Sequence, residues 1–234
     1  MSKTKELNLS NSIYNKLREL IIYGELNPGE KIDESRIIKD LKVSRTPFRE
    51  AVKRLEAKGY VETIHNRGAY VKKITIEEVE NILEVLSVLE GFAAYNAALG
   101  TGNGKVGALE QFHENLEEFN QLGKYREYHE ENSEFHFMIS ALSKNDFLSN
   151  LIQEIWDRIY KYRFIGLMMV GQIQNYLLEH KSIIEAIQER DPEKAQERMK
   201  EHIHRMKDSI VGFLKEYQMG SFPLPKSAGI HKEN

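Results

Sequence analysis

The sequence predicts a mainly α-helical protein in two parts: three short helices closed by a two-stranded hairpin, then an all-α antiparallel helical bundle. Three observations predict it. The β-prone runs are confined to residues 60–73. Beyond them, apolar residues recur at three- and four-residue spacing in long segments broken by glycine, asparagine or proline. The charge divides at the same place. Of 234 residues, the first 74 hold 16 Lys and Arg against 10 Asp and Glu, and the remainder 17 against 26.

In the first part, Ile13, Leu17, Leu20 and Ile21 form an apolar stripe that predicts a helix over about 11–23. Asn27-Pro28-Gly29 is a turn signal. Ile37, Ile38 and Leu41 mark a second helix over 34–41, and Lys42-Val43 makes a tight connection to the third. Thr46 can cap that helix, with Pro47 in its first turn, and it runs to Lys58 before Gly59 ends it. Phe48, Ala51, Val52 and Leu55 share one face, and Arg45, Arg49 and Lys53 line another. Runs over 60–64 and 69–73 flank the turn His65-Asn66-Arg67-Gly68. Residues 10–74 thus spell a winged helix-turn-helix. A lone basic helix is more often a solvated surface. Here its neighbours turn it into a candidate reader of DNA, with Arg suited to guanine edges or phosphate and Lys to phosphate. Arg67 sits at the wing tip, within reach of a backbone or minor groove.

In the second part, Thr75-Ile76-Glu77-Glu78 is a capping box. Helices are expected over 76–99, 105–122, 124–142, 146–169, 172–190 and 193–217, each with an apolar stripe such as Ile82, Val85, Leu86, Leu89 and Ala93. Residues 75–217 form one domain on this reading, and 218–234 a flexible tail. An acidic domain is repelled by phosphate, so nucleic acid is expected at one end of the chain only. The chain has no cysteine, which excludes disulfides, thiolate metal sites and a cysteine nucleophile. No apolar run approaches the roughly 20 residues of a membrane span, and residues 1–6 lack a signal-peptide core. A soluble, cytoplasmic protein with no membrane partner is the expectation.

Histidines carry the chemistry of the second part. Asn132 and His136 are four apart and share a helix face. His180 lies 11 residues before Asp191 and His202 lies 11 after it, so an antiparallel hairpin turning at Asp191 sets them at one height. Three neutral imidazoles suit Zn²⁺ or Ni²⁺, with the Asn132 oxygen as a weaker fourth donor. The plainer alternative is a set of satisfied core histidines, and His113, His129, His204 and His231 are read as packing or surface residues. Catalysis is not expected. Glu134, Glu179 and Glu201 stand one or two positions from a histidine and would point along other faces. No His-Glu-x-x-His, nucleophile elbow or phosphate-cradling loop is present, and the glycine-rich 100–104 stretch lacks the Lys-Ser/Thr of such a loop.

Residues 10–74 resemble the DNA-binding domain of GntR-type transcriptional regulators. The motifs that carry this are Gly24-Glu25-Leu26-Asn27-Pro28-Gly29-Glu30, Val43-Ser44-Arg45-Thr46-Pro47-Phe48-Arg49-Glu50-Ala51 and Asn66-Arg67-Gly68-Ala69-Tyr70-Val71. The resemblance implies that Arg45 and Arg49 contact bases or phosphates and Thr46 the backbone. It places the wing, with His65 and Arg67, along a minor groove, and makes Arg36 a phosphate candidate. With Ser44 and Lys53 these complete the DNA-binding set.

Residues 76–217 resemble the FCD ligand domain of the FadR-type branch. The segments are Asn132-Ser133-Glu134-Phe135-His136, Glu179-His180-Lys181-Ser182-Ile183-Ile184-Glu185-Ala186-Ile187, Asp191-Pro192-Glu193-Lys194-Ala195 and Met199-Lys200-Glu201-His202-Ile203. Six helices look like its shorter, VanR-like subgroup. The resemblance implies a divalent metal, Zn or Ni, on Asn132, His136, His180 and His202, with Asn132 where the family often has Asp. The first helix of such domains often carries an arginine for an effector carboxylate. The matching place here is Leu86, and Arg158 or Arg163 is the candidate substitute. The implied function is a ligand-responsive repressor that binds a palindromic double-stranded operator as a homodimer and takes a small-molecule effector such as a carboxylate. A metal-sensing regulator is the alternative, and a metal-dependent hydrolase fused to a DNA-binding head is the third reading.

Overall fold

A computed structural model of the chain describes residues 3–218 apart from 101–102, 168 and 170. It divides into two compact units between Thr75 and Ile76. The first contains α1 (Lys3–Ile22), α2 (Glu34–Leu41), α3 (Arg45–Ala57), β1 (Val61–Ile64) and β2 (Gly68–Val71). α1 begins well before the apolar stripe that predicted it, since no glycine or proline interrupts residues 3–22. The cap of α3 is Ser44 in extended conformation rather than Thr46. Pro47 still falls among the first positions, whose N–H groups have no helical acceptor.

Ile13, Leu17 and Ile21 of α1 meet Phe48, Ala51 and Leu55 of α3 in the core of this unit. The strands pair antiparallel, Val61 opposite Val71 and Ile64 opposite Gly68. Asn66 and Gly68 at the turn both have positive φ, as a tight hairpin demands. The segment after Asn27-Pro28-Gly29 adds a short third edge. Gly29 N–H donates to Val71 O at 2.8 Å and Ile32 N–H to Ala69 O at 2.8 Å. The turn motif therefore fixes the wing, a link that sequence periodicity did not reveal.

The second unit is helical among its described residues: α4 (Ile76–Gly100), α5 (Asn103–Gln121), α6 (Tyr125–Leu142), α7 (Asp146–Leu167), α8 (Gln172–Gln188) and α9 (Pro192–Gln218). α4 lies along α9, α8 pairs with α9, and α5 packs on α6 and α8. The α8–α9 turn closes on Arg190 in left-handed conformation, with Asp191 N–H donating to Ala186 O at 3.1 Å. Asp191 Oδ1 accepts from Lys194 N–H at 3.0 Å, and Pro192 opens α9. The expected flexible tail lies outside the described residues, except Gln218, where α9 ends.

α4 departs from expectation in two ways. Leu86 and Ala93 are buried, but Val85, Val88, Phe92 and Leu99 are exposed large apolar residues. The helix is thus apolar on two faces. Its mean hydropathy reaches 1.4 over 18 residues, so by length and composition alone it could cross a membrane, contrary to the sequence expectation. Half of that window is buried within the bundle.

Candidate metal centre and nucleic-acid interface

In the first unit, Ser44 at the cap of α3 and Arg45, Thr46, Arg49 and Lys53 on that helix are exposed, as are Arg36 on α2 and His65 and Arg67 at the wing turn. A groove between α2, α3 and the wing is lined by Arg45, Arg49, Arg67, Asn66, Glu34 and Ser35, among others. Arg45 in this groove, and Arg36 and Lys53 outside it, have acidic neighbours. Arg45 Nε is 4.0 Å from Glu34, Arg36 is 3.6 Å from Asp40, and Lys53 is 3.3 Å from Glu50. These are solvent-exposed pairs of small individual worth, and phosphate can replace them. Arg54 is different. It is held by Asn11 Oδ1 and lies over the Tyr14 ring at 4.3 Å, so it ties α3 to α1.

In the second unit, His136 from α6, His180 from α8 and His202 from α9 are buried together. One ring nitrogen of each lies within 4.8 Å of the other two. His180 Nε2 and His202 Nε2 are 3.3 Å apart. Ring centroids are 5.2 Å apart for His136 and His202 and 5.6 Å for His136 and His180. Burial, followed by the charges of neighbouring His202 and Arg163, pulls the His136 imidazole well below its ordinary pKa. His180 is lowered for the same leading reason. Neutral imidazoles are the form that binds metal.

Two carboxylates orient these rings. Glu90 Oε2 on α4 lies 2.5 Å from His136 Nδ1, and Glu179 Oε2 on α8 lies 2.7 Å from His202 Nδ1. When each Nδ1–H donates to its carboxylate, the Nε2 lone pair turns inward, the arrangement typical of metal-ligating histidines. Burial pushes the Glu90 carboxyl up, and the charge of Arg163 opposes it. Glu179 also lies 3.1 Å from exposed Arg205.

The donor set fits a divalent ion. His136 Nε2, His180 Nδ1 and Asn132 Oδ1 are buried without a hydrogen-bond partner in the protein, and such groups are costly unless something fills the site. His136, His180, His202 and Asn132 would hold the ion, which as a Lewis acid would attract a ligand oxygen. The set is neutral, so compensating negative charge comes from Glu179 behind His202, while burial pushes the Glu90 carboxyl up to about 8, toward its protonated form.

Of the remaining candidates, Leu86 is fully buried on α4, one turn before Glu90. Arg158 is exposed and does not enter the interior. Arg163 is buried, donating from Nη1 to Ser133 Oγ at 3.1 Å. His129 is a packing residue, edge-on to Tyr160 at 4.2 Å. Sequence reasoning missed Glu90 altogether and assigned Glu179 to another face. Glu179 does leave α8 away from His180, but there it meets His202 on the adjacent helix. A buried glutamate within the apolar pattern of α4 was the available signal for Glu90.

The sequence profile of the FCD domain matches residues 81–205, and that described as bacterial regulatory proteins, gntR family, matches residues 9–71. The chain is similar to the HTH-type transcriptional regulator YdhC of Bacillus subtilis, 27% identical over 204 residues, covering 87% of this chain and 91% of that protein. It is 24% identical to the HTH-type transcriptional repressor RspR of Escherichia coli over 202 residues, covering 86% and 89%. Among solved structures, E. coli McbR/YncC superposes with a TM-score of 0.72 at 19% identity over 91% of this chain and 98% of that one. A GntR regulator from Rhodococcus gives 0.71 at 22% identity, over 87% and 97%. At these identities the structures establish the fold. The matched families and relatives are transcriptional regulators rather than enzymes. A DNA-binding gntR head therefore precedes an FCD domain, and this chain belongs to the GntR family of bacterial transcriptional regulators.

Proposed function

We propose that the chain is a cytoplasmic, effector-gated repressor that binds a palindromic operator as a homodimer and holds a divalent metal, zinc or nickel, in its helical unit. The observation that carries the effector and metal part is the meeting of His136, His180 and His202, with His136 Nε2, His180 Nδ1 and the buried Asn132 oxygen all unpartnered. A small carboxylate entering this interior would find the ion and a buried guanidinium. The repressor reading leans on similarity to RspR.

The dimer reading leans on α4. Val85, Val88, Phe92 and Leu99 are exposed at spacings of three, four and seven, the pattern of a helix seam that meets its own copy across a two-fold axis. Each head would then set α3 in a major groove, with Arg36, Ser44, Arg45, Thr46, Arg49, Lys53, His65 and Arg67 as its contacts. Effector and operator would alter each other's affinity by the same factor.

Selection from random duplex DNA tests this reading. The bound pool should converge on an inverted repeat with half-sites separated by about one helical turn or a multiple. Arg49→Ala should lose about 1–3 kcal/mol on that site. A pool without dyad symmetry would overturn the dimer, and an unchanged operator preference in Arg49→Ala would overturn the assignment of α3. The neutral donor set favours a second reading, in which a weakly held ion is itself the signal. Zinc added alone to stripped protein would then change operator affinity at micromolar levels, whereas a resident ion would change stability only.

A further inference from the structure

The strand that follows Asn27-Pro28-Gly29 does more than brace the wing. Val71 N–H donates to Glu30 O at 2.9 Å, and Lys31 stands opposite Tyr70 of β2. Side chains alternate along such a segment. Ile32 is 3% exposed and enters the core, whereas Lys31 before it is exposed. A Cβ added to Gly68 would lie 3.3 Å from Lys31 Cε. The aliphatic stem of Lys31 therefore runs against the wing turn at Gly68, beside Arg67.

Lys31 lines the same groove as Arg45, Arg49, Asn66 and Arg67. The carboxylates of that groove are engaged elsewhere. Asp33 Oδ1 caps α2 by accepting from Arg36 N–H at 3.0 Å, and Glu34 faces Arg45. Among the described residues, Lys31, Arg49 and Arg67 have no ion-pair partner, unlike Arg36, Arg45 and Lys53. A phosphate that reaches Lys31 displaces no carboxylate.

The walls of the groove dictate what runs through it. α3 forms one wall and the wing another. With α3 in a major groove and the wing tip at the adjoining minor groove, the sugar-phosphate strand that separates those two grooves has to pass between them. Lys31 stands on the wing side of that passage. A lysine is a point charge on a flexible stem, which suits a phosphate better than a base edge.

We infer that Lys31 is a further phosphate contact, delivered by the third strand of the wing, which clamps the DNA strand running between α3 and the wing. It lies outside the set on α2, α3 and the wing turn, and it rests on α3 and the wing being the DNA-facing surface. The contact fixes the register of the head on the duplex and adds no sequence preference. The plain alternative is a lysine that keeps an exposed sheet edge from pairing with another chain. Such a lysine would leave the salt dependence of DNA binding untouched.

The test measures binding of the full chain to two labelled duplexes, a random-sequence pool and the operator drawn from it by selection, over a range of salt concentrations. Lys31→Gln keeps the stem and removes the charge. Affinity for both duplexes should fall by the same factor, roughly eightfold per head at about 0.1 M salt, and the slope of log affinity against log salt should become shallower by about 0.9 per head. Lys31→Arg should restore both, and the winged unit of Lys31→Gln should melt where the parent does. Parent-like affinity and slope in Lys31→Gln would overturn the inference. So would a loss confined to the operator, which would make Lys31 a reader of bases. A loss that comes with a lower melting temperature and is not restored by Lys31→Arg would make the role structural and overturn it as well. Arg49→Ala, measured alongside, separates the inference from the reading beneath it. A parent-like Arg49→Ala would remove α3 from the interface, whereas a weakened Arg49→Ala beside a parent-like Lys31→Gln would remove Lys31 alone.

Discussion

At residue scale, the histidines acquire their chemistry from Glu90 and Glu179. Each imidazole has two nitrogens, and the one that binds an ion is decided by what the other touches. Glu179 at 2.7 Å from His202 Nδ1 decides it for His202, and Glu90 for His136. Glu179→Gln keeps the shape of the side chain but removes charge and basicity from behind the ring. Zinc affinity should fall about 10- to 100-fold, measured by competition with a chromogenic chelator, and equal affinity in the variant would mean that Glu179 merely pairs with Arg205. The histidines themselves could be found from sequence because His180 and His202 are placed symmetrically about one turn, a local fact. Glu90 could not, because it meets His136 across 46 residues on a different helix, and spacing along one helix carries no information about that. Arg158 and Arg163 were equally plausible on paper. Five positions on one helix turn the first to solvent and the second into the core, a difference that depends on how α7 is rotated against its neighbours.

At element scale, α4 illustrates what an apolar pattern leaves open. Its sequence predicted a helix and the boundary held, with Ile76 its first residue. Its composition could not say which apolar face the bundle would cover, and Val85 went to the surface while Leu83 and Leu86 went inside. If the exposed face is the dimer seam, Phe92→Glu places a charge at its middle. Sedimentation should then show monomer at concentrations where the parent chain is dimeric, and a dimer of unaltered strength would remove α4 from the interface. α7 and α9 pose a different constraint. A Cβ at Gly166 would lie 2.9 Å from Ile210 Cγ1, a fully buried branched side chain. Alanine gains about 1 kcal/mol in helix propensity over glycine, whereas overpacking a core costs about 1–3 kcal/mol. Gly166→Ala should therefore lower the melting temperature of the helical unit, by roughly 2–4 °C for each kcal/mol lost. A rise would show that α9 yields easily there.

At the scale of the whole molecule, the basic and acidic halves of the sequence correspond to two compact units with different tasks. The winged unit was legible almost throughout because its signals are local: a proline in a helix's first turn, a four-residue spacing of cations, a glycine in a hairpin turn. The helical unit was legible as helices but not as a site, because its interior is assembled from α4, α6, α7, α8 and α9 at once. An ion bound there would be a staple for the bundle. Ligands on α6, α8 and α9 come together only when the unit is folded, so binding free energy becomes folding free energy. Free zinc at a thousand times its dissociation constant should add about 4 kcal/mol to the helical unit, which corresponds to roughly 8–16 °C in its melting temperature. The winged unit contains no ligand of this set, so its own transition should stay in place, and calorimetry on the full chain can follow both. His180→Ala should lose the zinc response while keeping a folded bundle. If that variant gained as much as the parent, the ion would be acting through surface histidines such as His204, and the buried cluster would return to hydrogen bonding alone.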